Sequence, residues 1–381
     1  MTLFRDSTFT VRPSRRDLLA GSGTLAAAAA LGLSPAALRA ALAAEMADWT
    51  SPPNVEAAKA QGAQFQSYGM PDSWANYGEV LQKLGQHYGF TVAHADTDMN
   101  SLEEITKFEA EKNNAVAICA DIGILYGKVA DQKNVVPAYI PPNAAKLPVG
   151  LKGDKGGWVA TFTGVPAMVV NTDVVKNVPK TWADLAKPEY KGKIETIDAA
   201  GGAGTSVSTF IAWAYAFGGD ENNFKPAIDF AKTMVGQYAS APANTQTLEK
   251  GEVPIQIKYD FNCIAAVKAV TAKGVNAKVV IPADGSIYAP SALMLNKFNT
   301  AKMDVAKLVL DFVLSDEGQA AFAKFGARPI RWVLGDLKLP DDARANWLPD
   351  SDYAKVKSLP DWSKVDLQKV VATYRDEVSG G

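Results

Sequence analysis

Residues Ala63-Gln64-Phe65-Gln66-Ser67 run into the turn Tyr68-Gly69-Met70-Pro71, and Ala115-Val116-Ala117-Ile118-Cys119-Ala120 breaks at Asp121-Ile122-Gly123. Between them, Asp72 or Ser73 can cap a helix that carries Trp74, Tyr77, Val80, Leu81 and Leu84 at helical spacing. Residues 90–93 have strand character, and 101–111 form a helix whose Ser101 and Glu104 stand in capping-box spacing. Strand, helix, strand, helix, strand predicts a mostly parallel sheet with helices on both faces, an α/β fold. Ligands of such sheets sit beyond the carboxyl ends of the strands, so residues 68–74 and 121–126 should border a site.

The composition agrees with that class. In 381 residues, 48% are apolar and 21% charged, which excludes collagen-like, disordered and coiled-coil chains. The length suggests about two domains. Basic and acidic residues balance at 39 to 41, so no nucleic-acid surface is implied. The two cysteines, Cys119 and Cys263, and the two histidines, His87 and His94, leave little from which to build a metal centre.

The amino-terminal stretch is an export signal. Ser14-Arg15-Arg16-Asp17-Leu18-Leu19 precedes an Ala/Gly-rich apolar run, and Ala41-Leu42-Ala43 has the small-x-small pattern of a cleavage site. Adjacent arginines specify the twin-arginine route of bacteria, giving a signal over residues 1–43 and a periplasmic product. An N-terminal membrane anchor is the other reading, disfavoured because glycines and alanines make the run only mildly apolar. Cleavage near Ala43 removes Arg5, Arg12, Arg15, Arg16 and Arg39 with only Asp6 and Asp17, leaving a more acidic chain. No cysteine stands at the cleavage site to take a lipid.

Past residue 157 an apolar, threonine-rich run, 158–170, is broken by Gly164 and Pro166. A second α/β unit follows to about residue 280, with strands expected at 194–198 and 253–259 and a helix after the Gly-rich turn 201–206. Two stretches here carry a family likeness. Pro179-Lys180-Thr181-Trp182-Ala183-Asp184-Leu185 with 188–194, and Phe312-Val313-Leu314-Ser315-Asp316-Glu317-Gly318-Gln319 ending at 326–331, resemble signatures of periplasmic substrate-binding proteins of ABC importers. The branch is the one that serves ferric ion, thiamine, polyamines, phosphonates and sugar phosphates. That resemblance implies a two-lobed type II periplasmic binding protein, two α/β lobes joined by two crossing strands with the ligand buried between them. Lobe one would hold residues 60–164 plus 289–381 and lobe two 165–288. It also implies capture without chemistry, a membrane permease as partner, a monomer and no cofactor. No Gly-x-Ser-x-Gly, Walker or His-Glu-x-x-His motif opposes it.

Two local features bear on the ligand. Ala199-Ala200-Gly201-Gly202-Ala203-Gly204-Thr205-Ser206 opens a helix, whose free N–H groups suit a phosphate, phosphonate, sulfonate or carboxylate; a plain turn with Thr205 as cap is the other reading. Lys258-Tyr259-Asp260-Phe261-Asn262 closes a strand as a loop, and Asp260 could meet an ammonium group or lie solvated. The expected ligand contacts are Tyr68, Met70, Trp74, Asp121, Thr163, Gly204, Thr205, Ser206, Tyr259, Asp260, Asn262 and Tyr288. Aromatics in this set could pack on an organic ligand or a cation, or be plain core. The resemblance implies an adjacent tyrosine pair in iron-binding members, and ferric ion is disfavoured because Tyr259 is followed by Asp260 and no Tyr-Tyr pair occurs. The expectation is a small organic anion or zwitterion, with a polyamine-type cation as the alternative. Cys119 and Cys263, in different lobes, are expected as free thiols, since a disulfide would lock a closing cleft.

Overall fold

The structure is a computed structural model that describes residues 49–358 and 362–380. The stretch expected to be an export signal, residues 1–43, lies outside the described residues.

After helix α1 (Val55–Gln61) the chain forms β1 (Gln64–Tyr68), α2 (Tyr77–Tyr88), β2 (Ala93–Thr97), α3 (Ser101–Ala110), β3 (Ala117–Gly123) and α4 (Ile124–Gln132). β1 pairs in parallel with β2 on one side and β3 on the other, as the alternation predicts. β2 begins three residues later than the sequence suggested, because 90–92 close the end of α2, where Phe90 N bonds Gly85 O. The cap of α3 also moves. Asn100, not Ser101, takes the N-cap, accepting from Leu102 N and Glu103 N at 3.1 Å, and Glu103 returns the bond to Asn100 N at 2.9 Å. Glu104 is thereby released from capping. Helix α2 begins only at Tyr77, since Ala75 and Asn76 adopt positive φ of 48° and 77°. Trp74 therefore sits in the loop before the helix.

The apolar run predicted as one stretch is two strands, β4 (Trp158–Gly164) and β5 (Pro166–Asn171), with Val165 between them. Next come α5 (Gly204–Ala216), α6 (Lys225–Met234), α7 (Thr245–Glu249), β6 (Ile255–Tyr259), α8 (Asp260–Thr271) and β7 (Ala277–Val280). The strand expected at 194–198 shrinks to single bridges from Ile194 to Tyr238 and Ile255. The loop expected at 258–262 is the start of α8, which follows β6 without a break. The chain returns through β8 (Ser286–Ile287) and β9 (Ala289–Leu295), then α9 (Met303–Phe312), α10 (Asp316–Phe325), β10 (Arg328–Pro329), α11 (Ile330–Val333), β11 (Val356–Lys357) and α12 (Leu367–Tyr374).

Among the described residues three sheets result, one in each lobe and a two-stranded pair, β11-β8, beside the crossings. The first has the order β10-β4-β9-β3-β1-β2 and the second β6-β5-β7. In the first, the returning strand β9 lies antiparallel between β3 and β4. In the second, β5 lies antiparallel between β6 and β7, which run the same way and are joined through α8. The strands β1, β2 and β3, which helices connect, pair in parallel, whereas β9 and β5, which arrive from the other lobe, pair antiparallel with their neighbours. The two crossings run side by side, with Gly164 opposite Ala289. Glycine is required there: a Cβ on Gly164 would stand 2.7 Å from the ring of Tyr259.

The last part of the chain departs from the expectation that 289–381 belongs to lobe one. β11 pairs with β8 beside the crossings, and Trp362 is buried in the core. Helix α12 then packs on the second lobe, with Tyr374 5.2 Å from Phe210 and its hydroxyl bonded to Ile197 O. The apolar face carrying Val370 and Tyr374 is what it buries there.

Cys119 and Cys263 are free, fully buried and in different lobes, and burial pushes both thiols up. Neither is expected to react with a thiol reagent in the native protein, and both should react once it is denatured, as a colorimetric thiol titration would count.

Candidate functional site

A cavity of about 410 Å³ opens between the lobes at the carboxyl ends of β1, β2 and β3. Its first wall is made by the loop after β1, residues 98–101, Glu104, Asp121 and Gly123; its second by 203–205, Tyr259 and Asn262. The walls touch at their edge. Tyr126 donates its hydroxyl hydrogen to Gly202 O at 2.8 Å, and a Cβ on Gly123 would lie 3.6 Å from Gly204 Cα.

The first wall is acidic. Asp98, Glu104 and Asp121 line it, and among the described residues no lysine, arginine or histidine lines either wall. Asp121 accepts from Trp74 Nε1 at 2.7 Å and from Tyr77 OH at 2.8 Å, which fixes the indole against the cavity. Burial raises its carboxyl to about 7, against the lowering effect of those two donors. Glu104 is 1% exposed and its Oε2 has no partner. Burial, reinforced by Asp121, Asp96 and Asp98, holds it well above the usual carboxylate range. The close seat of Glu104 depends on Gly69, where a Cβ would meet Glu104 Oε1 at 1.8 Å.

The second wall is the amino end of α5. Its N-cap is Ala203, which has no side chain to cap with, so the first N–H groups of the helix are left to face the cavity beside the hydroxyl of Thr205. Tyr259 adds its ring, edge-on to Trp74 at 6.5 Å, and its hydroxyl lies 3.1 Å from Ser208 Oγ.

Of the expected contacts, Trp74, Asp121, Gly204, Thr205, Tyr259 and Asn262 line the cavity together. The others do not. Tyr68 is buried, donating to Glu111 Oε2 at 2.6 Å and packing on Phe108. Met70 is fully buried, Thr163 is buried on β4, and Ser206 stands one residue past the lining part of α5. Asp260 and Tyr288 belong to the crossings. Asp260 points inward, accepting from Val165 N at 2.9 Å, Arg328 Nη1 at 2.8 Å and Tyr353 OH at 2.7 Å. The Arg328 guanidinium lies 3.7 Å over the Tyr353 ring, and Tyr288 packs in the same cluster. Asp260 is spent on a buried ion pair because it opens a helix at the hinge rather than a loop at the cleft.

Asp98 and Glu104 were missed. Asp98 would have been found by the strand-end rule had β2 been placed at its true end. Glu104 was absorbed by the Ser-x-x-Glu spacing that Asn100 and Glu103 in fact satisfy. Among the described residues no group of three or more His, Cys, Asp or Glu is arranged to hold a metal ion, and no helix is long and apolar enough to cross a membrane.

Residues 122–357 match the family described as bacterial extracellular solute-binding protein. An uncharacterized protein of Haemophilus influenzae is 31% identical over 234 residues, covering 58% of this chain and 60% of that protein. Among solved structures, the periplasmic binding protein AfuA of Actinobacillus pleuropneumoniae, bound to fructose-6-phosphate, matches with a TM-score of 0.66 at 20% identity, over 84% of this chain and 99% of its own. A ferric binding protein from Campylobacter jejuni matches with a TM-score of 0.60 at 19% identity, over 83% and 97%. The fold is that of type II periplasmic binding proteins.

The Arg328–Asp260 pair is 3% and 1% exposed at its side chains. Arg328→Leu should cost about 3 kcal/mol by leaving an unpaired buried carboxylate, and Arg328→Leu with Asp260→Asn should recover part of it. Urea unfolding of the two variants measures both.

Proposed function

Because this chain belongs to the bacterial extracellular solute-binding proteins, we propose that it captures a small zwitterion, an amine joined to a carboxylate, phosphonate or phosphate, and hands it to a membrane permease of an ABC importer. The observation that carries this reading is the opposite polarity of the two walls. Carboxylates with no basic side chain face an uncapped helix amino end across one cavity. An ammonium group against Asp98, Glu104 and Asp121 supplies the charge that the first wall lacks, and an acid group against α5 takes its free N–H donors. An anion without an amine would meet three carboxylates and no cation, so the lining disfavours that part of the expectation.

Such a ligand touches both walls only when they are close together, and its differential contacts shift the lobes toward the closed state. Binding is the whole of the function, performed in the periplasm by a monomer. The acidic wall with Trp74 and Tyr259 beside it also supports the second reading, a polyamine-type cation.

A thermal-shift panel separates the two. Aminoalkyl carboxylates and aminophosphonates should raise the melting temperature more than putrescine or spermidine, and fructose-6-phosphate should leave it unmoved. Stabilisation by diamines alone selects the second reading, and stabilisation by the sugar phosphate alone refutes both.

Affinity should also follow pH. The raised carboxyl of Asp121 is protonated below about 7, and an ammonium ligand binds its ionised form. Binding therefore releases a proton, and affinity is full above that pH and falls by up to about tenfold per unit below it. Calorimetry in buffers of different ionisation enthalpy reads the released proton directly.

A further inference from the structure

We propose that His94 is a charge-setting residue of the cleft: held as an imidazolium between Asp72 and Ser67, it is the buried counter-charge of the carboxylates on the first wall. This rests on the reading of that wall as the side that holds the ligand's cation.

His94 lies on the edge strand β2, with a side chain 5% exposed. Its Nε2 is 2.7 Å from Ser67 Oγ, and its Nδ1 is 2.7 Å from Asp72 Oδ1. Ser67 is fully buried, and its Oγ also stands 2.6 Å from Asp96 Oδ1, which takes a second hydrogen bond from Met70 N at 3.0 Å. A carboxylate only accepts, so the single hydroxyl hydrogen of Ser67 goes to Asp96. Ser67 Oγ is then left to accept, and Nε2 must carry a hydrogen. Asp72 is an acceptor as well, so the short contact at Nδ1 requires another. A ring protonated at both nitrogens is an imidazolium.

The chain Asp72–His94–Ser67–Asp96 runs from the surface inward to a buried carboxylate that acts on the cleft's own carboxyls. At its outer end, Asp72 and His94 line a surface groove of about 720 Å³ between α2 and β2, and the Asp72 side chain is 67% exposed. At its inner end, Asp96 Oδ2 is buried without a partner. The charge of Asp96 pushes up both Glu104 and Asp121. The other groups that act on these two carboxyls are Asp98, Glu103 on α3, Tyr77 on α2 and the Trp74 indole, with Asp121 also acting on Glu104, while Cys119 on β3 and the Tyr259 hydroxyl across the cavity feel Asp121 in turn. None of them is a cation. A positive ring one hydroxyl away from Asp96 therefore offsets that carboxylate and keeps Asp121 ionisable near neutrality.

The full unliganded chain tests this. With only two histidines present, nitrogen NMR of labelled imidazoles resolves His94 from His87, which stands exposed against Glu317 on the far end of α2. His94 should show both ring nitrogens protonated at neutral pH, and a neutral single tautomer there overturns the proposal. Carbon NMR of labelled aspartate carboxyls then follows Asp121. In His94→Gln, which keeps an N–H for Ser67 but no charge, its titration midpoint should move up by about half a pH unit. Asp72→Asn, an exposed change that leaves the fold intact should His94→Gln not fold, should move it the same way, and His87→Gln should not. A midpoint unmoved in Asp72→Asn overturns the proposal. Neither measurement contains a ligand, so a cleft that binds no amine would remove the proposed function and leave these results to stand or fall alone.

Discussion

The Arg328–Asp260 ion pair is the contact on which the two-lobed arrangement turns. It joins the edge strand β10 of the first sheet to the first residue of α8 in the second lobe, within hydrogen-bond reach of Val165, where the chain crosses. A charge buried this deeply is tolerated only when every partner is in place. Val165 N, Tyr353 OH and the Arg328 guanidinium supply those partners, and the stacked Tyr353 ring covers the cation. The pair holds β4, α8 and the segment around Tyr353 in one orientation, and the geometry of the cleft above it follows. Tyr259 and Asn262 line the cavity because Asp260 between them faces the other way.

The cleft shows the opposite use of buried charge. Glu104 and Asp121 are buried like Asp260, yet among the described residues no basic side chain lines the cavity beside them. The structure bears the cost of desolvating two carboxyls by raising their proton affinity rather than by pairing them. A paired carboxylate at the hinge and carboxyls without a cation in the cleft divide the labour between holding the lobes and recognising a solute.

Part of the architecture was legible in the sequence because the repeating strand–helix unit has a strong period, and the parallel pairing of β1, β2 and β3 follows from it. The two crossings came from the family resemblance rather than from any period. What failed was local. A shift of three residues at β2 hid Asp98 beyond the strand end, and two overlapping capping boxes, Asn100/Glu103 and Ser101/Glu104, differ by one residue in a pattern that cannot rank them. Asp260 was misplaced for a similar reason. Lys-Tyr-Asp-Phe-Asn has the polarity of a loop, and only the tertiary position of Val165 and Arg328 turns its aspartate inward. The antiparallel pairing of β5 and β9 was not legible, since its direction is decided by which lobe the strand comes from.

The final segment of the chain changes how such a molecule can move. Two adjacent strands alone form a ribbon, which bends and twists with similar ease. Here a third passage runs through Tyr353 and β11 and ends in α12 on the short helix 199–201, directly beneath the lip of the cleft. Three attachments that are not in line resist torsion. The lobes are left with one soft direction, a jaw-like swing about the crossings, and α12 travels with the jaw that carries α5.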